Sequence, residues 1–317
     1  MAKPKRPTGY QPTPVNSKTI KFSGTRFDKS YIAFHKRFSG AIVMSRADFD
    51  AQGFPAGNLH SLDLVNDVFL GSAILIDFNF ILMALHTLQP FPLSAMKNSQ
   101  IRVVFSNDLD AATADNTKPP FTSQQPRPFA FLRGDSEAFV GKSTDEEDFA
   151  IVKIDWNQRG GVPDFQLVGK SAVLAPPTFN RTSLTGKSVA SFLQYSGTKQ
   201  IASSGLPLFS GHVAQGKVTD INKSLGTSFG TTAANRVVAA LGARFGSSGS
   251  GFYNEDGELV GVLGGGTNGT FFLPIDVIYA STNVAFKRQA GQVLKDIFNF
   301  RKSKGEFVGE GKGKPVP

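Results

Sequence analysis

The chain has 317 residues, 40% of them hydrophobic, and a formal net charge of +9. That is enough apolar material to bury a large core, and the length suits two small domains or one large one. The chain has no cysteine, which excludes a disulfide scaffold and fits a reducing compartment, so a cytoplasmic or other intracellular location is expected.

Residues 1–37 read as a basic, flexible arm, with nine Lys/Arg against one Asp. The opening Met1-Ala-Lys-Pro-Lys-Arg-Pro-Thr-Gly is proline-rich, and no apolar segment of signal-peptide type follows it. From about residue 38 the rhythm changes to short apolar runs bounded by turn residues: Gly40 to Met44, Val68 to Ile76, Phe80 to Leu85, Ile101 to Phe105 and Phe149 to Ile154. Runs of this length read as strands. The most apolar stretch, Val65 to Leu88, is broken by Asp67, Asp77 and Asn79. It reads as a buried strand pair, and no membrane span is expected. Residues 106–128 are polar and read as a long surface loop.

Strand-like runs resume at Phe165 to Val168, Ser188 to Leu193, His212 to Ala214, Arg236 to Leu241, Leu259 to Leu263 and Thr270 to Leu273. Many short strands without long helices between them indicate a barrel or a sandwich. Over 276–304 the period becomes helical, through Val284, Val293, Leu294, Ile297 and Phe298. One or two amphipathic helices are expected there, broken near Gly291. Residues 305–317 form a basic Gly/Lys/Pro tail. Residues 287–317 carry eight Lys/Arg against three Asp/Glu, so the body between the two basic ends is left at −4. Basic ends suit an acidic partner or nucleic acid, although terminal charges also simply keep chain ends solvated.

Three segments carry chemistry. In Gly246-Ser-Ser248-Gly-Ser-Gly251, glycines flank a serine, so the backbone can turn tightly, expose the hydroxyl and aim successive N–H groups at one point. In Gly71 to His86, two strands joined by a turn near Asp77–Asn79 end in a histidine that can lean over a cleft as a general base. In Asp145-Glu-Glu-Asp148-Phe-Ala-Ile-Val, an acid precedes an apolar strand and can orient an imidazole. Taken singly, each has a plainer reading: a flexible Gly/Ser loop, a structural histidine, a solvated acidic turn.

In this order the three segments resemble the trypsin-like, chymotrypsin-fold serine peptidases, and most of all the bacterial high-temperature-requirement type of protease domain. Gly71 to His86 is similar to that family's strand–turn–strand ending in histidine. Asp148-Phe-Ala-Ile-Val resembles its acid-bearing strand. Gly246 to Gly261 resembles its nucleophile loop and the turn after it, and Leu273-Pro-Ile-Asp-Val-Ile its passage from strand to helix. Weaker similarity runs from about residue 62 to 282. The sequence departs from the family pattern at Leu85, Ser247 and Gly251, where a small residue or Asn, an Asp or Asn, and a proline are usual.

The resemblance implies an all-β fold of two packed six-stranded antiparallel barrels with a C-terminal helix. The barrels would span residues 38–160 and 161–275. It implies a serine endopeptidase with His86, Asp148 and Ser248 as its triad and the N–H groups of Gly246 and Ser248 as its oxyanion hole. The specificity pocket would lie at Gly242, Ala243, Gly264 and Gly266, which carry no carboxylate, so a small or apolar residue should precede the cleaved bond, or an acidic one if Arg244 turns inward. The partner would be a protein or peptide substrate. The alternative is a catalytically impaired member, a binding or structural protein of viral or phage origin whose basic tails touch nucleic acid. No cofactor is expected. His35, His60, His86 and His212 are scattered without metal-ligand spacing, so no metal is expected either. Gly264-Gly-Gly-Thr-Asn-Gly has no lysine of a phosphate loop after it.

Overall fold

Short runs rich in Val, Ile, Leu and Phe satisfy the pleat of a sheet but are too short to bury a helix face, and here they pair as strands. A computed structural model describes residues 35, 37–51, 62–63, 67–88, 101–105, 128–134, 137–169, 171–201, 207–226, 232–243, 246–265 and 270–305. The loop expected at 106–128 and the basic tail expected at 305–317 lie outside these residues except at Pro128 and Gly305, as does the arm up to residue 34.

The first six long strands are β1 (Ser39–Ser45), β2 (Asp67–Asp77), β3 (Phe80–Met83), β4 (Ile101–Phe105), β5 (Phe129–Leu132) and β6 (Ala150–Trp156). All pairings are antiparallel, and they close a ring: β1 to β2, β2 to β3, β3 to β6, β6 to β5, β5 to β4, β4 back to β1. The register runs through Ile74 opposite Leu82 and Gly40 opposite Phe105. The second set is β7 (Ser188–Ile201), β8 (Pro207–Gly226), β9 (Thr232–Ala239), β10 (Gly251–Tyr253), β11 (Leu259–Gly265) and β12 (Thr270–Pro274). These strands also form a closed barrel, in the order β7-β8-β9-β12-β11-β10. The two rings have the same order: first, second, third, sixth, fifth and fourth strand. The fold is thus all-β, two six-stranded antiparallel barrels followed by a helix.

Each barrel is filled by alternate side chains. In the first, Ile42, Ile74, Leu82, Val103, Ala130 and Ile151 are fully buried. In the second, Phe252 stacks on Phe272 with centroids 4.2 Å apart. His35 and Phe38, at the end of the expected arm, are also fully buried, and both rings pack against Tyr253 of β10, so the arm ends short of residue 37.

Two expectations for local structure are corrected. Phe165 to Val168 is a helical turn, not a strand, closed by Gly169 in the left-handed conformation at φ 66°. Phe165 turns inward onto Phe78 and Trp156. A four-residue run with three apolar residues fits either element, and Gly169 closes the turn. The helix break also lies elsewhere. Helix α1 (Ile275–Ala280) is followed by a two-residue hairpin pairing Val284–Ala285 with Arg288–Gln289, and α2 runs over Ala290–Lys302. Gly291 sits inside the first turn of α2, where a Cβ would stand 2.4 Å from the Tyr279 carbonyl oxygen. It is there for close approach of the two helices, not to end one. Helix α2 buries Val293, Leu294, Ile297, Phe298 and Arg301, one face at three- and four-residue spacing. The Arg301 guanidinium reaches carbonyls on both sides of the barrel junction, Ile76 at 2.7 Å, Ser171 at 3.4 Å, and Ala172. Among the described residues no helix is long and apolar enough to cross a membrane.

Candidate active site

His86 follows the third strand of the first barrel, and Ser248 follows the third strand of the second. The turn between the first pair of strands is at Phe78–Asn79, as the sequence indicates. After β3 ends at Met83 the chain does not run straight into His86. It makes one tight turn, Leu85–Thr87, entered through Ala84 at φ −75°, ψ 136°. That turn brings the His86 backbone N–H as well as its ring toward Asp148.

Asp148 lies just before β6 and is 4% exposed. One carboxylate oxygen accepts the His86 backbone N–H at 3.0 Å. The other lies 2.8 Å from Nδ1 of the same residue. An ionised carboxylate only accepts, so Nδ1 carries the proton and the ring's lone pair is on Nε2. Burial works to lower the His86 pKa. The charge and hydrogen bond of Asp148 raise it, the charge of Arg236 lowers it, and the net direction is up from 6.5.

The Gly/Ser loop, 246–250, is fastened to the first barrel. Ser72 N–H of β2 donates to the Ser248 carbonyl at 2.7 Å, and the Ser72 hydroxyl donates to the Gly246 carbonyl at 3.1 Å. Gly249 N–H donates to the Leu263 carbonyl at 2.9 Å, and Ser250 N–H to the Ser247 carbonyl at 3.0 Å. Gly249 has φ 90°, and a Cβ there would stand 1.9 Å from the Ser72 carbonyl oxygen. Gly71 is the counterpart on β2: a Cβ would meet Thr87 Cγ2 at 2.6 Å and the Ser248 carbonyl oxygen at 3.2 Å. The histidine turn and the serine loop thus close on the same bare stretch of β2. Gly249→Ala is expected to force the loop off β2, through both the positive φ and the backbone clash. Thermal unfolding should show a loss of about 1–3 kcal/mol or more, and an unchanged midpoint would refute this account of the loop.

Exposure separates the serines. Ser247 is 0% and Ser250 3% exposed, whereas Ser248 is half-buried. Ser247, where the family pattern has Asp or Asn, is therefore turned inward. At Gly251 a Cβ would stand 2.4 Å from the Tyr253 hydroxyl, so the usual proline has no room.

Of the expected pocket residues, Gly242 is exposed, with no atom within 4 Å of where its Cβ would be. Ala243 is half-buried and packs against the core. Gly264, on β11, would place a Cβ 3.0 Å from the Phe271 ring and 3.4 Å from an Asp148 carboxylate oxygen. Gly266 lies outside the described residues. Two residues of the site were not singled out in the sequence, Ser72 and Arg236. Arg236, on β9, is 0% exposed and donates to the carbonyls of Thr144, Asp145 and Glu146 in the loop leading to Asp148. Its signal was a lone cation at the head of the apolar run Arg236-Val-Val-Ala-Ala-Leu.

No protein-family model matches the chain, and no curated protein does. Solved structures do. The apo form of the MamO protease domain from Magnetospirillum magneticum is 16% identical, with 78% of this chain and 96% of that one covered and a TM-score of 0.41. Deg5 is 14% identical over 80% of this chain and 91% of its own, with a TM-score of 0.46. The HtrA-type protease AlgW with a decapeptide is 14% identical over 86% and 68%, with a TM-score of 0.44. The described residues form two six-stranded antiparallel barrels, and the solved structures the chain is similar to include an HtrA-type protease.

Proposed function

We propose that the chain is a serine endopeptidase. The observation that carries this reading is the His86 turn held by both oxygens of Asp148, beside a loop that leaves Ser248 as the half-exposed hydroxyl among buried serines. In the first step Ser248 Oγ attacks the peptide carbonyl carbon while its proton passes to His86 Nε2. Asp148 keeps the Nδ1 proton in place and offsets the charge of the imidazolium. The carbonyl oxygen becomes an oxyanion held by the N–H groups of Gly246 and Ser248. The neighbouring amides of Gly249 and Ser250 are committed to Leu263 and Ser247 and take no part. Collapse of the intermediate breaks the C–N bond, and the leaving amine takes the proton from His86. Water then repeats the sequence on the acyl-serine and frees the carboxylic acid. A fluorophosphonate probe tests this: the adduct should map to Ser248, and an adduct elsewhere would overturn the assignment.

Because the base must be neutral and its pKa is held above 6.5, labelling should lose rate as pH falls, with a midpoint above that of an ordinary histidine. A rate flat from pH 5 to 8 would remove His86 from the mechanism.

The pocket reading is that a small or apolar residue precedes the cleaved bond. Among the described residues nothing lies within 4 Å of a Cβ on Gly242, and the Phe271 ring beside Gly264 offers an apolar surface, the nearby Asp148 carboxylate being taken by His86. An unpaired Lys or Arg entering it would lose several kcal/mol of hydration. A peptide-library digest decides the matter, and dominant cleavage after Lys or Arg would refute it.

A further inference from the structure

The loop that presents Asp148 is gripped from both sides by residues far along the chain. On one side stands Arg236, which is fully buried despite its charge. It lies on β9, the strand that leads through the pocket residues toward Ser248. Its side chain crosses the seam between the barrels. One terminal nitrogen donates to the Glu146 carbonyl at 3.1 Å, and the other to those of Thr144 at 3.0 Å and Asp145 at 3.3 Å. On the other side, Ser281 Oγ donates to the Glu147 carboxylate at 2.5 Å and Asn283 donates to the Val140 carbonyl at 2.8 Å. Taking a guanidinium out of water costs several kcal/mol, and an aliphatic residue would serve packing in this apolar strand as well. What an aliphatic residue cannot do is hydrogen-bond three consecutive carbonyls, which the arginine fork does.

We infer that Arg236 is a positioning residue: by fixing the 144–146 turn across the seam, it holds the Asp148 carboxylate at the height where both its oxygens meet His86. The inference rests on the triad reading above. The following charged groups face the pair among the described residues. Asp145 and Asp148 act on Arg236, and Asp148 and Arg236 act on His86. Glu147 is turned toward Ser281 and the Lys142 backbone N–H, and Glu146 toward the Lys142 ammonium at 3.9 Å.

The test uses the full chain and two variants, Arg236→Lys and Arg236→Gln. Lysine keeps the charge but is a point donor that cannot span the three carbonyls, so any change it causes is one of geometry. In the folded Lys variant, NMR should show the His86 titration midpoint falling toward ~6.5 and the Nδ1 proton exchanging faster, as the bond to Asp148 loosens. Fluorophosphonate labelling per folded molecule should fall by about ten- to a hundredfold in both variants. If either folded variant keeps the wild-type midpoint, Nδ1 proton and labelling rate, Arg236 only supports the fold and the inference is overturned. Absence of labelling in the wild type, with the His86 signals changed as expected, would instead sink the peptidase reading and leave the brace standing.

Discussion

Ser248→Ala should abolish labelling and peptide cleavage, a loss on the order of 10⁶ in rate, while Ser247→Ala keeps the wild-type rate. The argument rests on access and on what each residue already does. Ser247 and Ser250 are enclosed, and the Ser247 carbonyl is taken by the Ser250 amide. The backbone of Ser248 is tied down through its carbonyl, which accepts from Ser72. Its hydroxyl can be removed without disturbing that tie, so the unfolding midpoint of Ser248→Ala should match the wild type. Rate measurements and a melting curve on the two variants check this together. Persistent labelling of Ser248→Ala at the wild-type rate would show that another nucleophile is at work.

Asp148→Asn should lower kcat/KM by about 10⁴ with little change in KM. An amide in that position can still accept the His86 backbone N–H through its oxygen. Its nitrogen, however, would then face Nδ1 and donate to it, which drives the ring proton to Nε2, where the base is needed. The fold should survive, because the loop is held by Arg236, Ser281 and Asn283 rather than by Asp148 itself. Steady-state kinetics beside a thermal melt separates these effects. A loss below tenfold would mean that Asp148 does not set the tautomer.

Most of the strands were legible because each is a short apolar run between turn residues, and the pairing of a His segment with a Gly/Ser segment was legible because both resemble a known order. The elements that were missed share a cause. Phe165 to Val168 is apolar enough for either element, and its helical turn depends on Phe165 finding Phe78 and Trp156. The helix break was assigned to Gly291 because glycine usually interrupts a helix, whereas here it meets the Tyr279 carbonyl from another helix. Arg236 looked like a strand-end cation until its partners, some 90 residues earlier, were in place. Each depends on a contact with another element of the fold, which spacing along the sequence does not encode.

The grip of Arg301 on Ile76 and Ala172 gives the molecule a timetable. A ribosome adds about 5–20 residues per second, so the first barrel emerges many seconds before the arginine that joins its β2 to the segment leading into the second barrel. The same holds for Arg236, Ser281 and Asn283, which bracket the Asp148 loop only after most of the chain is made. A nascent chain that has reached the end of the first barrel has the β3–β6 pairing that sets His86 beside Asp148, but not the later residues that brace the Asp148 loop. The bracing of the Asp148 loop is therefore completed late, once synthesis has passed Asn283, and a chain truncated before that point carries the loop without it.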